Sequence, residues 1–390
     1  MKIAFIGQKG IPMTFGGVEK HVERLAVGLA DKGHQVFAYT RPWYTPGSKK
    51  SYLGVKLISL GSIKTKSLDT ITHTFLATID AMKRDYDIIH YHGVGPSLVA
   101  WIPKLFKPST KVVITFHSID RYHQKWGLIG RMALYVGERF SVYFSDETIT
   151  VSKVLQMYCA EKLGADTIYI PNGVDIPELV APSLIKKKFG LEKDGYILFL
   201  SRLVRHKGAH YLIDAYKQLK TSKKLVIAGA SAFTEKYVAS LKKLVGDNKN
   251  IIFTGSVQGG DKLWRELYSN AYLFAHPSES EGLPIVVLEA MSFGRTVLCS
   301  DIPENMEAIA GGHGFAFENM NCKDLKKKLE YLLSRPELVK KVGERARDYV
   351  AKNYAWGDIV NSVEKVYEQV LARKAVEVAT RPLKFKQSVR

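Results

Sequence analysis

The stretch Lys2-Ile3-Ala4-Phe5-Ile6-Gly7 opens the chain with a short apolar run that ends in a glycine. A run of this length is typical of a buried β-strand and is too short for the apolar region of a signal peptide. A glycine-containing loop follows, and residues 18–32 then show a helical pattern. The stretch therefore predicts a strand–loop–helix unit, and we expect the mature chain to begin here, inside the cell.

Strand-like apolar runs alternate with helix-length segments along the rest of the chain. They cover residues 35–39, 88–91, 112–116, 147–151, 196–200, 225–228, 251–254, 271–275 and 296–300. Alternation of this kind indicates parallel sheets that are covered by helices on both faces. The sequence therefore predicts an α/β protein with two doubly wound domains, and 390 residues suit two domains of ordinary size.

A turn-forming stretch, Pro171-Asn172-Gly173-Val174-Asp175-Ile176-Pro177, separates the two predicted domains. A basic segment follows it as far as residue 188. The predicted organisation is a first domain over residues 1–172, a linker over 173–192, a second domain over 193–355, a helix over 356–372 that crosses back to the first domain, and a basic tail over 373–390.

The formal net charge of +19 is large. It can attract nucleic acid, an anionic lipid surface or small phosphorylated substrates, and it does not choose among them. Part of it lies at the end of the chain, where Glu377 opposes Arg373, Lys374, Arg381, Lys384, Lys386 and Arg390, so the tail carries 6 − 1 = +5. The tail is either a loose electrostatic membrane anchor or a disordered, solubilising end.

The composition, 46% hydrophobic and 24% charged, is that of a globular protein. No apolar run is long enough to cross a bilayer. Cys159, Cys299 and Cys322 have neither the spacing of a zinc site nor the even count of a disulfide framework. We expect a cytoplasmic protein and leave open its association with the inner face of the cell membrane.

Residues 278–291, SESEGLPIVVLEAM, place Glu281 and Glu289 eight residues apart across a Gly-Leu-Pro break. Pro284 suits the first helical position, which leaves Glu281 in a loop and Glu289 in the second helical turn. A helix start favours an anion such as a diphosphate, and carboxylates accept hydrogen bonds from hydroxyl pairs. The spacing is thus consistent with a sugar-nucleotide site and equally with two solvated helix-start residues.

Two cations, Arg202 and Lys207, follow the predicted strand 196–200. In doubly wound sheets ligands bind beyond the carboxyl ends of the strands. Fixed cations at such a place would bind a diphosphate and neutralise it as it leaves. The alternative is a solvated basic loop.

The loop after the first strand ends in Gly16-Gly17, which permits close backbone approach by a ligand. Its spacing matches neither the nicotinamide-binding fingerprint nor the P-loop. His117 follows the strand 112–116 and is expected to point into the same cleft, where it could bind a sugar or the reacting groups. A purely structural role for His117 is equally consistent with the sequence.

Two metal-like patterns are set aside. Asp85-Tyr86-Asp87 precedes a strand, at the end of the sheet where ligands seldom bind, and is read as a turn. His90, His92 and His117 could imitate a metal trio, but no carboxylate or thiolate is spaced to join them. We therefore predict no metal site.

Taken together, these residues resemble one family, the retaining glycosyltransferases of family 4, whose GT-B fold has two facing Rossmann-like domains with a cleft between them. The resemblance covers nearly the whole chain. It is carried by Gly16-Gly17, residues 87–93 (DIIHYHG), His117, Val151-Ser152, residues 171–175 (PNGVD), Arg202 with Lys207, and Glu281 through Glu289.

The resemblance implies that Glu281 lies beside the donor sugar, that Glu289 binds the ribose hydroxyls and that main chain near Val257 flanks the base. The expected catalytic residues are His117, which would contact the sugar near the reacting carbon, Arg202 and Lys207, which would hold the diphosphate, and Glu281. The expected substrate-binding residues are Gly16, Gly17, Arg202, Lys207, Val257, Glu281, Gly282, Leu283 and Glu289.

The implied function is transfer of a hexose, with retention, from a nucleoside-diphosphate sugar to a glycan or lipid-linked acceptor in cell-surface polysaccharide synthesis. The sugar nucleotide would be a co-substrate, no metal or other cofactor is implied, and no nucleic acid partner is expected. Two other readings stay open. One is a nucleotide-sugar epimerase of the same fold, and the other is a non-catalytic basic scaffold that binds polyanions or membranes.

Overall fold

The computed structural model of the chain describes residues 1–14, 16–65, 68–122, 126–232 and 234–379, and the side chains of 374–379 are left out. Within these ranges, the chain as far as Tyr169 contains eight strands and five α-helices. The strands are β1 Lys2–Ile6, β2 Gln35–Thr40, β3 Ser51–Tyr52, β4 Val55–Ser59, β5 Ile88–His92, β6 Lys111–Phe116, β7 Glu147–Thr150 and β8 Ile168–Tyr169. The helices are α1 Gly17–Asp31, α2 Asp69–Met82, α3 Trp101–Phe106, α4 Leu128–Tyr143 and α5 Lys153–Tyr158.

The remaining elements belong mainly to a second sheet. Its strands are β9 Tyr196–Leu200, β10 Lys224–Ala228, β11 Ile251–Gly255, β12 Leu273–His276, β13 Val297–Ser300 and β14 Phe315–Phe317. The helices are α6 Leu184–Phe189, α7 Ala209–Tyr216, α8 Glu235–Val245, α9 Lys262–Asn270, α10 Ile285–Ser292, α11 Pro303–Ala308, α12 Cys322–Leu333, α13 Pro336–Asn353 and α14 Trp356–Ala379.

The strands form two separate sheets. The order is β3-β4-β2-β1-β5-β6-β7-β8 in the first and β11-β10-β9-β12-β13-β14 in the second. All of the pairs are parallel except β3 with β4. β5 and β6 are buried along their whole length, as parallel strands covered by helices on both faces require. The predicted α/β class with two doubly wound sheets is therefore confirmed.

The last helix, α14, returns to the first domain and packs beside α1. Gly28 of α1 makes room for it, because a Cβ atom there would lie 2.6 Å from Cγ2 of Val360. Val360, Val363 and Tyr367 join the apolar core beneath α1. The hydroxyl of Tyr367 lies 2.6 Å from Nδ1 of His90 in the first sheet.

The chain passes between the two domains at two places that lie side by side. The amide of Val174 donates to the carbonyl of Tyr354 at 2.7 Å, and Val174 forms a parallel bridge with Ala355. The first crossing leads into the second domain, and the other leads back out of it into α14. The two crossing segments are therefore tied to each other.

The predicted tail begins too early. α14 runs to Ala379 instead of residue 372, so residues 373–379 are helical. The sequence there, RKAVEVA, lacks proline and glycine and favours continuation of the helix. The rest of the predicted tail, 380–390, and the side chains of Lys374 and Glu377 lie outside the described residues. The prediction that the tail anchors the protein to a membrane depends on these residues and therefore also lies outside the described part of the chain.

Several short elements were not predicted from the sequence. β3, β8 and β14 contain two or three residues each, too few for a distinct apolar run, and Lys56 interrupts the apolar residues of β4. The helix that follows β7 consists of α5 and a π-helical turn, Cys159–Leu163. The expected linker contains α6, whose Ile185 is fully buried. In the described ranges, none of the helices combines the length and the apolar content needed to cross a bilayer.

Candidate active site

The two domains meet across a cleft that is closed by direct contacts. The side-chain amide of Asn172 donates to the carbonyl of Leu283 at 2.9 Å. Gly282 lies so close to His117 that a Cβ atom added to it would overlap the carbonyl oxygen of His117. These contacts bring the segments after β6 and β8 against the loop after β12, at the edges where ligands bind in doubly wound sheets.

Lys207 and Glu281 form a buried ion pair at this edge. Lys207 ends a short 3₁₀ turn after β9, and Glu281 lies in the loop after β12, the neighbour of β9 in the sheet. His276, the last residue of β12, places its Nε2 atom 2.7 Å from the same Glu281 oxygen. Burial alone would raise the pKa of Glu281, but Lys207 and His276 hold it well below its usual range.

Burial also lowers the pKa of Lys207, although the negative charge of Glu281 raises it. The nearby positive charge of Arg202 lowers the pKa of Lys207 further. Arg202 itself is exposed, and no hydrogen bond or ion pair joins its guanidinium to another described residue. Lys207 is thus a cation held by a carboxylate, and Arg202 is a cation still available to an anion. The two expected diphosphate ligands lie together as predicted, while their roles stay predictions.

Glu289, on α10, is buried and has partners from both domains. Lys20 of α1 contacts one of its carboxylate oxygens, and the hydroxyl of Tyr268 on α9 donates to the other at 3.1 Å. The ammonium of Lys20 lies 5.0 Å from the centre of the Trp264 ring. Glu289 is therefore an anchored anion and not a solvated helix-start residue.

The start of α10 differs from the prediction by one residue. Pro284 is the N-cap residue, with an extended ψ of 100°, and the first helical residue is Ile285. The carbonyl of Pro284 accepts from the amide of Val287 at 3.0 Å and so closes the first turn. Glu281 lies in the loop and Glu289 in the second turn, as predicted.

His117 belongs to a cluster of buried histidines at the ends of β5 and β6. Its Nε2 atom lies 3.2 Å from Nδ1 of His92, and its ring meets that of His21 edge to face at 4.9 Å. Burial and the neighbouring rings hold the pKa of His117 and His92 well below 6.5. Burial lowers the pKa of His21 to about 4, although Asn172 bonds to its Nδ1 atom at 3.0 Å. These rings are neutral at pH 7.

The structure brings together a histidine trio that differs in one member from the trio set aside in the sequence. Ring nitrogens of His21, His92 and His117 lie within 4.8 Å of one another. His90 instead bonds to Tyr367 and to Thr115, because its ring points toward α14. A shared ion would have to break the contact between His92 and His117. Absence of a metal stays a prediction.

The Gly16-Gly17 pair lies at the start of α1. Gly16 is the N-cap residue, and its φ of 110° is in the region that favours glycine. A Cβ atom on Gly17 would lie 3.6 Å from Ile285, across the cleft. Val257, after β11, is partly buried against the core of the second domain. Gly17 therefore borders the cleft.

Asp85-Tyr86-Asp87 lies at the opposite edge of the first sheet. Asp87 accepts a hydrogen bond from the backbone amide of Lys2 at 2.7 Å, and Asp85 pairs with Lys107 at 3.5 Å. Tyr86 is buried. The segment is thus tied to structure away from the cleft.

Four residues of the site were not found from the sequence: Lys20, Asn172, Tyr268 and His276. His276 had a local signal, since it is a polar residue that ends an apolar strand five positions before Glu281. The other three contact the site through tertiary packing, and no local pattern identifies them. Asn172 was predicted as part of a turn and of the segment 171–175 that carries the family resemblance, without a role in the site.

Two family models match the chain, one on each side of residue 180. The model of Glycosyltransferase Family 4 matches residues 15–178, and the model of Glycosyl transferases group 1 matches residues 183–349. Together these ranges contain every expected site residue.

Similar proteins extend over nearly the whole length. Phosphatidyl-myo-inositol mannosyltransferase of Mycolicibacterium smegmatis is 26% identical over 383 residues, which cover 91% of this chain and 90% of that protein. O-antigen chain mannosyltransferase C of Escherichia coli is 23% identical over 388 residues, which cover 96% and 100%. The structure of Anabaena HepE in complex with UDP-glucose has a TM-score of 0.78 at 21% identity and covers 95% of this chain and 100% of its own, which shows the same fold.

Proposed function

Because the chain belongs to the group 1 glycosyltransferases of family 4, with the GT-B fold, we propose that it moves a hexose from a nucleoside-diphosphate sugar to a glycan or lipid-linked acceptor. Two of its relatives are named for mannosyl transfer, one to phosphatidyl-myo-inositol and one to an O-antigen chain. A protein of the same fold binds UDP-glucose. These names support a role in cell-surface polysaccharide synthesis, in the cytoplasm or at the inner face of the membrane.

One observation carries the proposal. Arg202 and Lys207 follow β9 while Glu281 follows the adjacent strand β12, so two cations and a carboxylate converge at one edge of the second sheet. Cations in fixed positions stabilise a diphosphate as negative charge develops on it, and they need little reorganisation during the reaction. They supply the positive charge that the departing group requires, and we therefore propose neither a metal nor another cofactor.

The proposed reaction retains configuration at the anomeric carbon. The bond from that carbon to the diphosphate oxygen breaks, and a bond to the acceptor oxygen forms on the same face. The acceptor hydroxyl gives its proton to the departing phosphate oxygen. Arg202 and Lys207 stabilise the leaving diphosphate, and His117, being neutral, is suited to hydrogen-bond a sugar hydroxyl.

The donor's ribose is assigned to Glu289, whose carboxylate can accept hydrogen bonds from two hydroxyls. Lys20 contacts that carboxylate from the opposite domain. Ribose binding must therefore share the carboxylate with Lys20 or displace it. This competition would couple donor binding to the separation of the two domains.

A panel of sugar nucleotides tests the proposal. The protein is expected to hydrolyse or transfer from at least one donor, to be stabilised thermally by the matching nucleoside diphosphate and to keep its activity in EDTA. Glu289→Gln is expected to weaken nucleotide binding, whereas Glu337→Gln, at an exposed position of α13, is the matched control. No turnover and no thermal shift with any donor would exclude the proposed activity.

Analysis of the product separates transfer from other chemistry. NMR of the glycoside is expected to show the anomeric configuration of the donor. An altered sugar nucleotide formed without any acceptor would indicate an epimerase instead. Loss of activity in EDTA that zinc restores would contradict the metal-free part of the proposal.

A further inference from the structure

A cavity of about 550 Å³, here called the α9 cavity, lies between the linker and helix α9 of the second domain. Val180, Ala181 and Ser183 form its linker wall, and Gly260 with the first turns of α9 forms the other. A volume of this size suits a small ligand. The residues that line the cavity include none of the expected donor-binding residues, so the α9 cavity is distinct from the donor site.

The linker wall is held in place by hydrogen bonds to α9. Oε2 of Glu266 accepts from the backbone amides of Ser183 and Ile185, at 2.9 and 3.0 Å. The side-chain amide of Asn270 donates to the carbonyl of Val180 at 3.0 Å. Both ends of the wall are therefore fixed to the helix, and the cavity is a built feature of the fold.

Glu266 also brings an unused acceptor to the cavity. Its side chain is buried, and its Oε1 atom has no hydrogen-bond partner among the described residues. The ammonium of Lys262 lies 3.8 Å from this oxygen, which is too far for a hydrogen bond. Buried polar atoms nearly always have a partner in folded proteins. A hydroxyl group of a ligand in the cavity would supply the missing bond.

Two cations line the same cavity. Lys262 and Arg265 are both exposed to solvent. No hydrogen bond or ion pair joins the guanidinium of Arg265 to another described residue. Two cations beside one carboxylate leave a net positive charge, and guanidinium and ammonium groups bind phosphate well. The cavity therefore favours a ligand that carries an anion.

These groups together define the chemistry of the ligand. Hydroxyl groups satisfy Oε1 of Glu266, a phosphate meets Lys262 and Arg265, and the carbon skeleton contacts Val180 and Ala181. Inorganic phosphate alone would leave the carboxylate oxygen without a donor. A neutral polyol would leave the cations without an anion. A small phosphorylated polyol or sugar matches both halves of the cavity.

Helix α9 connects this cavity to the expected ribose ligand. Trp264 and Tyr268 are each two residues away from Glu266, so they lie on the opposite face of the helix. The Tyr268 hydroxyl donates to Glu289, and the Trp264 ring lies beneath the ammonium of Lys20. A ligand that holds one face of α9 thus acts on the helix that positions Glu289.

We propose that the α9 cavity binds a small phosphorylated polyol or sugar, and that its occupation changes the affinity of the cleft for the donor. The binding itself is independent of the proposed function, whereas the effect on the donor rests on it. Because coupling between two sites is reciprocal, donor binding changes the affinity of the α9 cavity by the same factor.

Titration calorimetry of the full-length protein tests the binding. The probes are glycerol 3-phosphate, ribose 5-phosphate and mannose 6-phosphate, compared with glycerol, mannose and inorganic phosphate. At least one of the three phosphorylated probes is expected to bind more tightly than all of the comparison compounds. Lys262→Glu is expected to weaken that binding at least tenfold, because it replaces a phosphate ligand by a repelling charge. Lys242→Glu, at an exposed position of α8, is the matched control and is expected to bind like wild type.

Two further variants locate the bound probe. Ala181→Trp is expected to abolish binding, since its ring fills the cavity from an exposed position of the linker without changing any charge. Arg202→Ala, in the cleft, is expected to keep it. Loss in Arg202→Ala together with retention in Lys262→Glu would place the probe in the donor site and overturn the inference. No binding of any phosphorylated probe would overturn it as well.

The coupling is measured with UDP, GDP and ADP. The dissociation constant of the nucleotide that binds is expected to change at least fivefold when the phosphorylated probe is saturating, and to stay constant in Lys262→Glu. An unchanged constant in wild type would refute the effect on the donor. Failure of the proposed function has a different signature, in which no nucleotide binds and no donor is turned over, although the probe still binds wild type and not Lys262→Glu.

Discussion

Lys20 of the first domain and Glu289 of the second form a buried ion pair across the cleft. Both side chains are nearly inaccessible, and the Trp264 ring and the Tyr268 hydroxyl hold them from the second domain. Two buried charges of opposite sign stabilise each other, because removal of one leaves the other buried with its desolvation cost uncompensated. The pair thus joins the expected ribose ligand to the closed arrangement of the domains.

This dependence can be measured by a double-mutant cycle. Lys20→Met is expected to lower the free energy of unfolding by about 3 kcal/mol, since it leaves the Glu289 charge buried without its partner. The double variant Lys20→Met/Glu289→Gln is expected to be less destabilised than the sum of the two single variants. Urea denaturation followed by fluorescence gives the three values, and strict additivity would show that the contact carries no coupling.

The two arginines of the loop after β9 are expected to behave differently. Arg202→Ala should lower the transfer rate constant about 100-fold, because it removes a fixed positive charge from the departing diphosphate. Arg205→Ala removes an equally exposed guanidinium three residues further on and is the matched control. Steady-state kinetics with the preferred donor distinguishes them, and equal rates in both variants would remove Arg202 from the mechanism.

A methyl group on Gly282 is expected to force the two domains apart. Its Cβ atom would overlap the carbonyl oxygen of His117, which is backbone and cannot turn away. Gly282→Ala should therefore reduce activity strongly and cost about 1–3 kcal/mol of stability. Gly357→Ala, where a Cβ atom meets nothing within 4 Å, is the control. Small-angle scattering that shows the same radius of gyration for wild type and Gly282→Ala would contradict this expectation.

As the pH falls, the first domain is expected to lose stability before most carboxylates become protonated. Burial lowers the pKa of His21 and His73 to about 4, and that of His90, His92 and His117 well below 6.5. The unfolded chain binds more protons than the folded one below pH 6.5, so stability is complete above that pH and falls as the pH drops. Each histidine contributes at most about 1.4 kcal/mol per pH unit.

Urea midpoints at pH 7, 6 and 5 measure this slope. His73→Gln is expected to make it shallower, because one fewer buried ring must stay neutral. His73 is a suitable choice since it lies in α2, away from the expected catalytic residues. A midpoint that does not change between pH 7 and pH 5 would contradict the assignment of neutral, buried histidines.

The two-sheet architecture could be predicted because the central strands are nearly continuous apolar runs. β6 and β9 are buried on both faces, and no polar alternation interrupts them. Edge strands such as β3 and β14 gain less from burial and leave a weaker pattern. The sequence predicts the ends of helices less accurately than the central strands. Pro284, for example, suits both the N-cap and the first turn of α10.

The site could be predicted only where strand ends position it. Glu281, Arg202 and Lys207 follow strands that the pattern itself reveals, so their approach to one edge follows from the topology. The contacts of Lys20 and Asn172 depend on how one domain faces the other. The interdomain angle is set by packing over many residues, and no short segment encodes it.

The return of α14 to the first domain has a consequence for synthesis of the chain. The core beneath α1 includes Val360, Val363 and Tyr367, which leave the ribosome only after the whole second domain has been made. Domains generally fold as units, in the order in which they emerge. The first domain can therefore complete its apolar core only after its last helix has been made.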